Sequence, residues 1–370
     1  MNKETLLQRI RIIDLIRQWF KDREFLEVDT PLMVRHPGME PHLDPFTTEL
    51  KDKDGSVLER RYLITSPELS MKKLLGVGFD RIFQLGKVFR NGEVSSEFGV
   101  GGSESLHHHE FTMLEWYRVG VGYEQMMEDC ESLLRFIVKE FGVGSSESGE
   151  GSWEIPPRRA GGVRSSEFGE GSSEKGVPAT AGRRSEEFKV AIMGDWRKLS
   201  VREAFLQFAS MDLEKLKNVQ DFQTEVRKRS YASAQDLSWD DLFFLVMLNE
   251  VEPALKELGP IFLTDYPASQ AALAKKRDDN PFFAERFELY IDGVELCNAF
   301  SELCDPVEQR QRLEAEQEQR RQLGKEVFEI DEEFLQALGS ITSAAGNALG
   351  VDRLVMLLLG KRSVREVMYL

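Results

Sequence analysis

Cysteine, histidine, positive charge and long apolar runs are all scarce in this sequence. Three cysteines among 370 residues, Cys130, Cys297 and Cys304, form neither a CxxC pair nor an even set. A disulfide framework and a zinc ribbon are therefore not its organising devices, and buried free thiols are expected. No window approaches the roughly 18 uninterrupted apolar residues of a membrane span. The opening stretch MNKETLLQRIRIIDLI alternates charge with helix-spaced apolar residues, unlike a signal peptide. The expectation is a soluble cytoplasmic protein with no membrane partner. Lys and Arg number 48 against 64 Asp and Glu, a net charge of −16. That balance disfavours a nonspecific grip on nucleic acid, which needs many phosphates neutralised, while leaving local basic patches open. The length is enough to bury one large core or two modest ones.

Periodicity supplies the elements. Leu6, Ile10, Ile13 and Phe20 recur on one helical face from Glu4 to about Arg23. FLEVDTPLM reads as a strand, with Pro31 removing a donor where it ends or lies at an edge. Ser66 as N-cap and Pro67 as the first helical residue open a short helix through Leu75. RIFQLGKVFR and EFTMLEWY are strand-like, and Tyr123 to about Phe141 is helical, with Met127, Cys130, Leu134 and Ile137 on one face. From Gly142 to Glu187 the composition collapses into Gly, Ser, Glu and Arg, so residues 142–187 are predicted to be a disordered insertion between a first part, 1–141, and a second, 188–370. SSEFGEGSSE there nearly repeats SSEFGVGGSE of Ser95 to Glu104. Copies this short in two different loops cannot stack as a solenoid. Helical patterns follow Phe188, then IFLTDYP, FELYIDGVELCNAF, a charged helix from Pro306 to Leu323 and a last helix from Val351.

Three of the five histidines fall together in LHHHEFTMLEWY, Leu106 to Tyr117. Metal-binding histidines on one element converge, as at i and i+4 of a helix, whereas His107, His108 and His109 in an extended segment point to alternate sides. A structural metal site is disfavoured. In a strand Phe111, Met113, Glu115 and Tyr117 share one face, and Thr112, Leu114 and Trp116 the other. Phe111 and Tyr117 would then lie about 20 Å apart, enough to hold a flat base at one end and a small amine at the other. A half-buried strand with no site produces the same alternation. Asp292-Gly293 is a type I′ hairpin signal that pairs Tyr290 with Glu295 and Glu288 with Cys297, placing Glu288 and Glu295 on one face. Adjacent carboxylates repel, and a hard cation such as Mg²⁺ against polyphosphate would resolve this, as would a solvated face with lysine partners. Glu302 lies an odd number of residues beyond Glu295, so it shares that face only if a bulge or strand end intervenes.

FLEVDTPLM, KVFRNGE with HHHEFTMLEWY, and GNALGVDRLVMLLLG resemble motifs 1, 2 and 3 of the class II aminoacyl-tRNA synthetases. More narrowly, PASQAALAK, ERFELYIDGVELCNAFSELCDPVEQRQR and ALGVDRLVM are similar to the lysyl-tRNA synthetase branch and its elongation factor P (R)-β-lysine ligases. The resemblance covers nearly the whole chain outside the Gly/Ser-rich segments. It implies an α+β catalytic domain, an antiparallel sheet flanked by helices, dimerised through motif 1. It also implies ATP, Mg²⁺ and a lysine-type amino acid. By this resemblance Arg90 contacts the α-phosphate and the substrate carboxylate, and Arg353 the γ-phosphate. Phe111 stacks on adenine opposite Arg353, His107 lies near ATP, and Glu288 and Glu295 hold Mg²⁺ and ATP. Glu68, Glu115, Tyr117, Asn298 and Glu302 form the lysine pocket, with Glu302 and Tyr117 at the side-chain ammonium and Glu68 at the amine of the reacting end.

The same resemblance divides the branches. The chain begins at the motif 1 helix without a preceding anticodon-binding domain, as expected of the ligases. Ala348 stands where the synthetases usually carry Gly, which hints at (R)-β-lysine in place of α-lysine, and PHLDPF and EWYR also look like the ligases. Their acceptor is a lysine of elongation factor P, leaving tRNA an unexpected partner. Motif 2 departs from the family: Gly92 occupies an expected carboxylate position, which Glu93 could replace, and HHHEF replaces HNPEF after a lengthened loop. A truncated lysyl-tRNA synthetase and an inactive synthetase-fold adapter are the competing readings.

Overall fold

The computed structural model describes residues 2–92, 106–146, 179–229, 231 and 237–369. The strands are β1 (Leu26–Glu27), β2 (Met33–Val34), β3 (Thr47–Lys51), β4 (Val57–Leu63), β5 (Arg81–Phe89), β6 (Glu110–Val119), β7 (Arg197–Ser200), β8 (Ile261–Thr264), β9 (Arg286–Ile291), β10 (Val294–Ser301) and β11 (Ala344–Gly350). Eight of them form one sheet in the order β1-β5-β6-β11-β10-β9-β8-β7, antiparallel except where β1 joins β5 and β7 joins β8. A second sheet has the order β2-β4-β3. The helices are α1 (Lys3–Lys21), α2 (Glu68–Gly76), α3 (Tyr123–Ser146), α4 (Ala179–Met193), α5 (Val201–Ala209), α6 (Val219–Arg227), α7 (Trp239–Val246), α8 (Glu252–Leu255), α9 (Pro306–Gln322), α10 (Glu332–Leu338) and α11 (Val351–Leu358). The expected α+β architecture is present, and among the described residues no helix is long and apolar enough to cross a membrane.

Alternation decides which face of the large sheet carries the core. Phe83, Leu114, Trp116, Phe287, Leu289, Ala299, Ala345 and Leu349 bury one face against α1, α3 and α11. Cys130 and Cys297 lie within this core as free thiols, their Sγ atoms 3.5 Å apart. A second core joins α5 through α8 to β8 and β9 around Phe205, Phe243 and Leu263. The opposite face of the central strands is left to line a cavity, capped at one end by α2, α9 and α10. At Gly76 the helices α2 and α10 approach so closely that a Cβ there would meet the Ala337 Cα at 2.8 Å.

One buried ion pair fixes the strand and helix that carry most of the site. Arg9 of α1 lies 2.5 Å from Asp352 Oδ1 and donates to Thr112 Oγ1 and the Val367 carbonyl, while Asp352 Oδ2 accepts the Thr112 amide at 2.7 Å. Both side chains are almost fully buried. Such a pair is a registration device more than a stabiliser, because desolvation offsets much of its attraction. It locks the start of α11 onto β6.

Three local expectations change. FLEVDTPLM is not one strand: it pairs only at Leu26–Glu27 and Met33–Val34. Between them Thr30 N finds the Gln84 side chain and Pro31 has no donor, so the ladder is interrupted. The predicted insertion boundaries are too wide, since α3 continues through Ser146 and α4 begins at Ala179. The repeated SSEF segments and Glu93 lie outside the described residues. The hairpin at Asp292-Gly293 has positive φ at both positions, as a type I′ turn requires, and pairs Tyr290 with Glu295. Beyond it a bulge between Glu295 and Cys297 places Glu288 opposite Asn298 instead of Cys297. That extra residue reverses the alternation, so that Glu295 and Asn298, three residues apart, both face the cavity.

Candidate active site

The cavity holds about 380 Å³. Glu68, Arg90, His107, Phe111, Glu115, Tyr117, Glu288, Glu295, Asn298, Ala348 and Arg353 all line it. Strand β6 contributes Phe111, Met113, Glu115 and Tyr117 from one face, the alternation expected from sequence. Glu302, just past β10, lies behind the wall beside Tyr117. A Cβ added to Gly346 would overlap the Tyr117 ring and stand 2.8 Å from Glu302 Oε1. Residues from before and after the Gly/Ser-rich insertion thus build one cavity.

Carboxylates crowd one end. Glu115 Oε1 accepts from the Tyr117 hydroxyl at 2.5 Å and Oε2 from the Ser66 hydroxyl at 2.7 Å. Burial, reinforced by the nearby Glu68 charge, pushes the Glu115 carboxyl up to about 7. Burial likewise raises Glu302 to about 8, against the pull of the Lys72 ammonium. Lys72 itself bridges Glu68 Oε1 and Glu302 Oε2, each at 2.5 Å; burial opposes its charge, but the two carboxylates together outweigh burial and raise the ammonium. Ser66, expected as an N-cap, does bond the Glu68 amide at 3.1 Å but spends its proton on Glu115.

Cations occupy the other end. Arg90 lies with its guanidinium 5.2 Å from the Phe111 ring centroid and its Nε toward the Thr65 carbonyl. Arg353, in the first turn of α11, donates to the Glu295 carbonyl at 2.8 Å and to His107 Nε2 at 2.9 Å, and faces Glu295 Oε2 at 3.3 Å. The three histidines do not share one partner. His108 Nδ1 contacts the Glu110 carbonyl and the His109 ring stacks on His108 at 4.1 Å. Between the two ends, Glu288 accepts from Arg286, Tyr266 and Tyr290 at 2.6, 2.6 and 2.8 Å. Both tyrosine hydroxyls use Oε2 of Glu288, while Oε1, which accepts from Arg286, keeps a second lone pair, so that oxygen and the half-exposed Glu295 would be the protein ligands of Mg²⁺, which takes one or two carboxylates and completes its shell from phosphates and water. Ala348 sits between Asn298 of β10 and Glu115 of β6, packed near Met113 and Phe111.

Sequence reasoning missed Lys72, Arg286 and Glu40, all at or behind this cavity. The Glu68 to Lys72 spacing of one helical turn was the available signal, but it reads as a surface ion pair until the burial is known.

A sheet that presents arginines to one end of a cavity and buried carboxylates to the other is the scaffold of an amino acid ligase. The chain belongs to the tRNA synthetases class II (D, K and N), a family that matches residues 1–370. Among particular relatives, it is 32% identical over 368 residues to the elongation factor P–(R)-beta-lysine ligase of Vibrio cholerae, covering 98% of this chain and 93% of that one. It is 33% identical to the corresponding protein of Proteus mirabilis, with the same coverage. It is also 31% identical to the lysine–tRNA ligase of Magnetococcus marinus, of whose length it spans 63%.

The raised carboxyls make a pH dependence. Below about 7 Glu115 holds a proton and cannot serve as a counter-ion for an ammonium, whereas Glu302 already faces the Lys72 ammonium. Affinity for a diamino acid should therefore rise between pH 6 and 8.5, by up to about tenfold per unit for each proton displaced. Calorimetry in buffers of different ionisation enthalpy should show proton release near pH 7. A flat affinity across that range would contradict the assignment.

Proposed function

We propose that this cavity activates a lysine-type amino acid with ATP and Mg²⁺, and that the acyl group then passes to the ε-amine of a lysine on elongation factor P. The observation that carries the reading is the polarity of the cavity, with Glu68 and Glu115 lining one end, Glu302 behind the wall there, and Arg90, His107 and Arg353 at the other end. A substrate with two ammonium groups and one carboxylate fits this polarity, its carboxylate directed toward Arg90. In the first step a carboxylate oxygen attacks the α-phosphorus of ATP and pyrophosphate leaves. Little proton transfer is needed, so alignment and charge neutralisation supply the catalysis. Arg90 and Arg353 present forked, permanently charged donors to the phosphates. Mg²⁺ held by Glu288 and Glu295 would neutralise further phosphate charge. In the second step the acceptor amine, once deprotonated, attacks the acyl carbonyl, an amide forms and AMP leaves. None of the cavity residues is assigned as base for that proton.

Ala348 favours (R)-β-lysine within this reading. Its methyl group stands where β10, β11 and β6 meet, beside Glu115 and Asn298. Moving the amine by one carbon changes the shape the cavity must match, and one methyl is worth about 1–3 kcal/mol of discrimination. Pyrophosphate exchange is expected to be faster with (R)-β-lysine than with α-lysine, and Ala348→Gly should shift the preference toward α-lysine about tenfold or more. Exchange with neither amino acid would overturn the reading. Similar identity to lysine–tRNA ligases keeps tRNA as the alternative acceptor. The exposed Met33, Leu50, Val57 and Leu58 on the small sheet suit a homodimer, in which a second copy covers them.

A further inference from the structure

Lys72 lies outside the cavity lining and yet contacts two of the carboxylates assigned to the substrate. Its side chain is 1% exposed, one helical turn after Glu68 on α2, with its ammonium 5.2 Å from the Phe300 ring and 6.0 Å from the Phe334 ring. Phe300 faces the main cavity, and Phe334 faces a smaller one of about 40 Å³ behind it. A lysine this deep is tolerated only when paired, and here it is paired twice, once within its helix and once with the distant Glu302. Each carboxylate gives it one oxygen. Neither buried oxygen of Glu302 makes a hydrogen bond of regular geometry: Oε2 has the Lys72 ion pair, while Oε1 lies beside Tyr117, just behind the cavity wall. A buried carboxylate oxygen left unmatched is costly, and an ammonium brought by the substrate would satisfy it.

We infer that Lys72 is a positioning residue: it engages one oxygen of Glu68 and one of Glu302 and leaves the other oxygen of each for the two amines of a diamino acid. The inference rests on the reading that this end of the cavity takes a lysine-type substrate. Lys72 never touches that substrate. It fixes α2 and the end of β10 at the separation the two amines require, and it offsets the repulsion between carboxylates that would otherwise drive one of them to protonate.

The test is pyrophosphate exchange with the full chain and four variants: Lys72→Met, Lys72→Arg, Glu302→Gln and the Lys72→Met/Glu302→Gln pair. Lys72→Met should raise the amino acid KM about 10- to 100-fold, with kcat and the ATP KM within about threefold of the parent. Lys72→Arg, which keeps the charge, should recover part of that loss. In the Glu302→Gln background Lys72→Met should add no more than about threefold, because contacting residues that act as a unit are non-additive. A full, additive loss in that background overturns the inference, as does a fall in kcat with the amino acid KM unchanged. Where Lys72→Met alone does not fold, the pair variant leaves less uncompensated charge, and its comparison with Glu302→Gln decides the matter. Absence of exchange in the parent protein would instead overturn the substrate reading itself.

Discussion

Arg353→Ala is expected to lower kcat/KM for amino acid-dependent pyrophosphate exchange by about 10³-fold, the scale of losing one preorganised charged donor from a water-excluded site. The guanidinium is held before substrate arrives by the Glu295 carbonyl, the Glu295 carboxylate and His107. Its orientation therefore costs little reorganisation during the reaction. Arg353→Lys should recover only part of the loss, because a single ammonium cannot match the planar fork that spans these partners. Unfolding is not the expected cause. The neighbouring Asp352, not Arg353, carries the buried contacts to Arg9 and Thr112 that tie α11 to β6. A thermal melt within a few degrees of the parent, with exchange nearly abolished, is the predicted pair of results; exchange within about tenfold of the parent would contradict the phosphate role.

Gly346→Ala should strike the opposite end of the cavity. The added methyl has no room: it would overlap the Tyr117 ring and press on Glu302 Oε1 at 2.8 Å. Overpacking of this kind costs about 1–3 kcal/mol. Expressed as binding, that is a rise of about 10- to 100-fold in the amino acid KM. The ATP KM should stay unchanged, since Arg90, Phe111 and Arg353 are not displaced. Equal losses for both substrates would contradict an amino acid pocket at this end of the cavity.

Much of this site can be read from residue order, and what cannot is tertiary. The alternation of Phe111, Met113, Glu115 and Tyr117 is a property of β6 alone, so a period of two revealed which side chains face the cavity. The Asp292-Gly293 turn is equally local and set the first pair of the hairpin correctly. One extra residue between Glu295 and Cys297 then moved Glu288 by a position. No propensity announces a bulge; the odd spacing from Glu295 to Glu302 called for a bulge or a strand end only if both belonged to one site. Lys72 was hidden for a different reason. A lysine four residues after a glutamate is the pattern of a solvent-exposed helix pair, and only the packing of α2 under α10 and beside Glu302 turns it into a buried bridge. FLEVDTPLM failed as a single strand because a side chain from β5, Gln84, takes the amide that the ladder would have used.

The most direct measurement is the intact mass of elongation factor P after incubation with this protein, ATP, Mg²⁺ and either (R)-β-lysine or α-lysine, alongside the same reaction with total tRNA. The expected result is a lysyl-sized increase on elongation factor P, larger with the β form and lost with Arg353→Ala. Adenylate formation with charging of tRNA, and no change in the mass of elongation factor P, would contradict the proposed acceptor.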